Sequence, residues 1–150
     1  KNGCAPLAGA AVYLWHCDQE GRYSLYSNDA TDQNYLRGVQ VADANGQLTF
    51  ETVYPGCYSG RWPHAHFEVY QNVDAIKDVG NASATSQLAF PKAVSESVYA
   101  TDGYSASVRN LAGTSLASDG VFGDDQAVRQ LVTVTGTVEG GLTATLTVPV

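Results

Sequence analysis

A chain of 150 residues is long enough to bury a core as one domain without covalent staples. Its formal net charge of −7, with only 8 Lys and Arg, argues against nucleic acid as a partner, and no apolar run is long enough to cross a bilayer. Cys4, Cys17 and Cys57 allow at most one internal bridge and lack the C-x-x-C spacing of a zinc–thiolate site.

With no Met anywhere, the sequence reads as a piece trimmed from a longer chain. Its Lys-poor, Ser/Thr/Gly-rich composition leans toward secretion, with the cytoplasm as the alternative.

In chain order the pattern is all-β. Pro6–Gly9 forms a turn, and Ala10–Cys17 is an apolar run expected to be a buried strand. Asp18–Gly21 breaks it, Arg22–Ser24 falls in loop, and residues 27–36 are polar and irregular. Leu36–Ala42 is the next expected strand, Asp43–Gly46 a turn, and Gln47–Val53 alternates as a strand should until Pro55-Gly56. His64–Tyr70 follows as a strand. Residues 71–86 read as a long polar loop with one helical turn, and contain the glycosylation sequon Asn81-Ala82-Ser83. Ser86–Phe90 is a short strand stopped by Pro91, Pro91–Tyr99 carries a turn or two of helix, and residues 100–125 form a second long loop. Val128–Val138 and Leu142–Val148 pair as a hairpin around Glu139–Gly141. Short strands with Gly-rich turns favour a single β-sandwich domain over residues 1–150, of mixed topology, with long loops and little helix. Its expected core includes Val12, Leu14, Phe50, Val69, Leu131, Val134 and Leu146.

The chemistry concentrates in Tyr54–His66, Y-P-G-C-Y-S-G-R-W-P-H-A-H. His64 and His66 stand at i and i+2 of a strand, so both imidazoles leave the same face and form a clamp for a metal. The Pro-Gly turn upstream aims Tyr58 at the same point, and Arg61 lies between. Elsewhere the bland readings hold: His16 is structural, Asp18 and Asp43 are turn formers, Arg37 is a structural ion-pair partner, and Gln87 alone carries no signal.

Together, P-L-A-G-A-A-V-Y-L-W-H-C-D-Q-E-G-R-Y-S (6–24), Y-L-R-G-V-Q-V-A-D-A-N-G (35–46), Y-P-G-C-Y-S-G-R-W-P-H-A-H-F (54–67), Q-L-A-F-P (87–91) and D-G-V-F (119–122) resemble the intradiol ring-cleavage dioxygenases. The resemblance implies a prealbumin-like catalytic sandwich. It also implies one mononuclear non-haem Fe(III), and O2-dependent opening of a catechol between its two hydroxyl carbons to a cis,cis-muconate-type product. By that resemblance Tyr23, Tyr58, His64 and His66 hold the iron, with Tyr58 the axial phenolate that leaves when substrate binds. Arg61 is the catalytic arginine beside the iron, and Gln87 lies against the substrate. The partners implied are a small aromatic diol and O2. The chain is expected to act as a monomer, with tethering to another domain left open.

Cys17 with Cys57, both at the metal end, is the favoured pair if a disulfide forms. Departures from the family pattern at Tyr13, Cys57 and Trp62 bear on the substrate. No basic residue is dedicated to a ring carboxylate, so catechol, hydroxyquinol and protocatechuate all stay open. Two rival readings are a non-catalytic prealbumin-like binding or adhesion module, and a cupin-type H-x-H metalloenzyme using a carboxylate such as Glu68.

Overall fold

Alternation in H-A-H-F-E-V-Y makes His64–Tyr70 the strand around which the sheet is built. In a computed structural model that describes residues 5–150, this strand (β3) lies inside a four-stranded antiparallel sheet. Its neighbours are β1 (Ala11–Trp15) and β4 (Ala84–Ala89), and β2 (Arg37–Val41) pairs with the far side of β1. The sandwich expectation is met by a second layer, the hairpin of β5 (Thr133–Thr137) and β6 (Gly141–Thr145). All these ladders are antiparallel. The mixed character is confined to one parallel bridge, between Ala89 and Leu131.

The odd positions of β3, Ala65, Phe67 and Val69, are buried and face the second layer. Phe67 and Val69 pack with Val12, Leu48 and Val148, while Ala65 packs with Phe90, Val132, Val134 and Leu146. Leu131, expected in this core, is instead 43% exposed: the bridge to Ala89 turns its neighbour Val132 inward at 3%. Leu14 and Phe50 are half-buried.

The even positions, His64, His66, Glu68 and Tyr70, leave the opposite face. Pairing carries that face across the sheet, with Arg37, Trp15, His66 and Gln87 in one row.

Behind this face sits a cluster that the sequence pattern does not announce: Cys57, Trp62, Val98, Tyr99, Tyr104, Leu111 and Phe122. Two eight-residue helices build much of it, α1 (Lys92–Tyr99) and α2 (Ser105–Ala112). α1 matches the expected helical turns after Pro91, whereas α2 lies in the stretch expected to be loop. The expected strand over Gln47–Val53 is not formed. That segment finds no ladder partner, and it lays the Phe50 ring against Gly38.

Cys17 and Cys57 are buried free thiols rather than a bridge, because each turns to a different carbonyl. Cys17 donates to Gly56 O and Cys57 to Arg61 O, both at 3.4 Å. Cys4 lies outside the described residues. Among the described residues no helix is long and apolar enough to cross a membrane.

Candidate metal centre

Three local devices deliver the four candidate ligands. β3 supplies two of them. His64 Nδ1–H donates to Trp62 O at 2.5 Å, which fixes the tautomer and leaves the Nε2 lone pair free. The His66 ring is held by stacking on Trp15, with centroids 4.8 Å apart and planes 7° from parallel.

Tyr23 comes from a loop pinned by polar contacts. Asp18 Oδ1 accepts from Glu20 N and Arg22 N, Tyr23 N donates to Ser27 Oγ, and Ser24 is held by Arg37 through both its Oγ and its carbonyl. Gly21, at φ +86°, leaves the space Tyr58 needs: a Cβ there would lie 2.9 Å from Tyr58 Cβ.

Tyr58 follows a segment whose backbone is gripped from the helical side. Tyr104 Oη donates to Tyr54 O, Tyr99 Oη to Pro55 O and Asn110 Nδ2 to Cys57 O, while Cys57 N donates to Ser107 Oγ. From below, Gly56 presses so closely on Asp18 and Gln19 that a Cβ would meet both carbonyl oxygens at 2.7 Å.

The result is convergence. His64 Nε2 lies 3.2 Å from each of Tyr23 Oη, Tyr58 Oη and His66 Nε2. Two donors each about 2.0–2.1 Å from one ion stand that far apart when they subtend about 100°, so the spacing fits a single first-row metal. Two phenol oxygens with two imidazoles suit a hard ferric ion.

The titration behaviour agrees. Burial above all, reinforced by the Arg61 charge, lowers His64 to about 3 and His66 to about 4, so both present neutral nitrogens. Burial raises both Tyr23 and Tyr58, and Arg61 partly opposes this at each. A trivalent cation among them is the kind of charge that releases phenolic protons.

Arg61 and Gln87 are brought together at this cluster. Arg61 Nη1 donates to Tyr58 Oη at 3.3 Å and Nη2 to Gln87 Oε1 at 2.6 Å. Its Nε donates at 2.9 Å to Asp119, a carboxylate with 0% side-chain exposure. Burial alone would raise the Asp119 pKa, but N–H donors from Trp62, Val121, Arg61 and Phe122 outweigh it and hold the group ionised. Asp119 was missed as a site residue. The only signal was its place in D-G-V-F, which carried no role.

The bland readings divide. His16 is structural, donating from Nδ1 to Cys17 O and bonding Thr52 Oγ1 through Nε2. Asp18 and Asp43 cap turns through their backbone donors. Arg37 is not an ion-pair partner among the described residues: its contacts are Ser24, Tyr13 Oη and the Tyr26 ring. Glu68 accepts from Tyr70 Oη at 2.6 Å. No three His, Cys, Asp or Glu side chains cluster to hold a metal among the described residues, which tells against a cupin-type site. Two surface grooves, one between α1 and the β5–β6 hairpin and one between β2 and Phe50–Val53, contain none of the four donors.

Comparison with known proteins follows the same line. The dioxygenase family model matches residues 1–80. A chlorocatechol 1,2-dioxygenase of Rhodococcus opacus is 36% identical over 53 residues, covering 35% of this chain and 21% of that protein. A chlorocatechol 1,2-dioxygenase of Pseudomonas sp. (strain P51) is 30% identical over 105 residues, covering 57% and 38%. The match thus spans well under half the length of these relatives. Among solved structures, an intradiol ring-cleavage dioxygenase from Tetranychus urticae superposes with a TM-score of 0.81 at 28% identity, covering 97% of this chain and 72% of that one. The dioxygenase domain of a carbohydrate-binding fusion protein from Streptomyces sp. SirexAA-E shares the fold, at TM-score 0.58 and 24% identity, covering 95% and 68%.

Proposed function

The chain belongs to the intradiol ring-cleavage dioxygenases, and from that premise we propose that it opens catechol-type diols between their hydroxyl carbons. In this reading it uses O2 and one mononuclear Fe(III), and gives cis,cis-muconate-type products. The observation that carries the proposal is the convergence of Tyr23, Tyr58 and His66 on His64 Nε2, each at 3.2 Å.

Ferric iron held by Tyr23, Tyr58, His64 and His66 would supply Lewis acidity toward a catechol and draw its ring toward reaction with O2. The remaining work falls to side chains. His64 and His66 hold the ion through neutral nitrogens whose tautomer and tilt are set by Trp62 O and the Trp15 ring. Tyr58 Oη, which accepts from Arg61 and would stand as a phenolate against the ferric ion, would take the proton of a catechol hydroxyl and become the neutral phenol. Arg61, fixed by Asp119 and Gln87, directs a guanidinium to where negative charge develops. Neither rival reading gains support: an adhesion module has no use for four converging donors, and Glu68 is engaged by Tyr70.

The test is iron analysis, the visible spectrum, and turnover of catechol, hydroxyquinol and protocatechuate with product masses. A red, iron-loaded protein that adds both atoms of O2 to the ring supports the reading. An iron-loaded protein that is pale and consumes no O2 with any of the three overturns it. Secretion and a monomeric, single-domain unit remain part of the proposal on composition and length alone. Fractionation of the producing culture and sedimentation check them.

A further inference from the structure

We propose that Arg37 makes this site selective for catechols whose ring carries an anionic substituent, a carboxylate above all; the proposal rests on the ring-cleavage function just described. The sequence pointed to no basic residue for that task, and the reason lies in the register. Arg37 pairs with Trp15, Trp15 with His66 and His66 with Gln87, so all four stand in one row on one face of the sheet. With strands about 4.8 Å apart, the Arg37 backbone stands roughly 10 Å from that of His66. Trp15 fills the interval, stacked on His66 at 4.8 Å and on Tyr13 at 5.1 Å. The guanidinium is held between Tyr13, whose Oη accepts from Nη1 at 2.9 Å, and the Tyr26 ring, 4.5 Å away. Tyr26 is itself 64% exposed and lies 6.1 Å from the Tyr23 ring. Arg37 therefore sits at the rim of the donor cluster, on the side away from Arg61.

Charge distinguishes the two guanidiniums. Arg61 is neutralised by Asp119. Among the described residues Arg37 touches only neutral groups: the Ser24 hydroxyl and carbonyl, the Tyr13 phenol and the Tyr26 ring. Arg22, Lys77 and Lys92, by contrast, all meet carboxylates. In a molecule of net charge −7, the uncompensated cation at this rim is where an anion is drawn. Nε, Nη1 and Nη2 each make one hydrogen bond, and the Tyr26 side chain also lies against the group. Five N–H donors exceed these partners, so a charged donor is left over for an anion.

Arg37 also braces Ser24, next to Tyr23, and the experiment must separate bracing from recognition. The iron-loaded wild type, Arg37→Gln and Arg37→Lys are assayed on 3,4-dihydroxybenzoate and on its neutral methyl ester, at low and high salt. The wild type is expected to favour the acid. Arg37→Gln should cut that preference about tenfold, through KM, as the loss of one charge-assisted contact does. Arg37→Lys should restore part of it, and salt should weaken turnover of the acid more than of the ester. Equal losses on acid and ester would overturn the proposal and leave Arg37 a brace for the Tyr23 loop.

A second readout does not need turnover. Metal-free protein is titrated with 4-hydroxybenzoate and with 4-hydroxybenzyl alcohol, followed by tryptophan fluorescence. A preference for the acid that disappears in Arg37→Gln supports the site; no preference in the wild type overturns it. If the acid is preferred but no ring is opened, the function proposed above fails while the anion site stands.

Discussion

Arg61 shows how much one side chain can coordinate: its three nitrogens address Asp119, Tyr58 and Gln87 separately. Replacing it by Ala should leave iron content and fold intact and lower kcat by about 10² to 10³, the usual loss of a donor aimed at developing charge. Lys should recover little, because an ammonium cannot span three partners in a plane. Unchanged kcat in Arg61→Ala on every catechol would remove its catalytic role.

Asp119→Asn keeps the size of the side chain but not its charge. It should retain iron, lower the melting temperature, and cut kcat about tenfold or more as Arg61 loses its anchor, since breaking a buried pair commonly costs about 3–5 kcal/mol. Parallel melting curves and steady-state rates check both halves. The His pair, Tyr58 and Arg61 were legible because they share one short motif with strand spacing. Asp119 was not, because 58 residues separate it from Arg61 and it sits in a stretch rich in Gly, Ser and Asp.

At the scale of elements, β3 was readable to its ends because alternation, a preceding proline and β-branched and aromatic residues all agree there. Gln47–Val53 has the alternation without the strand: side chains can alternate on an extended segment that has no backbone partner. α2 was hidden for the opposite reason. Its buried positions are Ser107 and Leu111, so it shows no broad apolar stripe, and its docking is carried by Ser107 and Asn110 on the Cys57 backbone.

The loop that delivers Tyr58 depends equally on what is missing at Gly56. A methyl group there would press on Asp18 O and Gln19 O at 2.7 Å, so one of the two loops must shift. Gly56→Ala should lower the melting temperature by several degrees, given a cost of about 1–3 kcal/mol for overpacking. It should also shift the visible band of the iron protein. A variant that matches the wild type in both respects would show that the two loops are independent.

At the scale of the whole molecule, all three histidines are buried or half-buried, and burial lowers the pKa of each below the ordinary value of 6.5. The unfolded chain then binds more protons than the native one at mildly acid pH. Stability is therefore full above about pH 6.5 and is lost as pH falls through the native values, about 4 for His66 and about 3 for His64. Metal-free protein should melt progressively lower between about pH 7 and pH 4, and His16→Gln should flatten part of that slope. A melting temperature that does not change over this range would contradict it.

The grip on residues 54–57 has a consequence in time as well as in space. Gly56 N donates to Asp18 O and Cys57 N to Ser107 Oγ, while Tyr54, Pro55 and Cys57 give their carbonyls to side chains of the helical side. In heavy water these two amides should keep their protons until the molecule opens as a whole. The exposed turns at Ala75–Lys77 and Val79–Asn81, which bury nothing, should surrender theirs by local fraying. Although it is a loop by name, the segment before Tyr58 would exchange on the clock of the core.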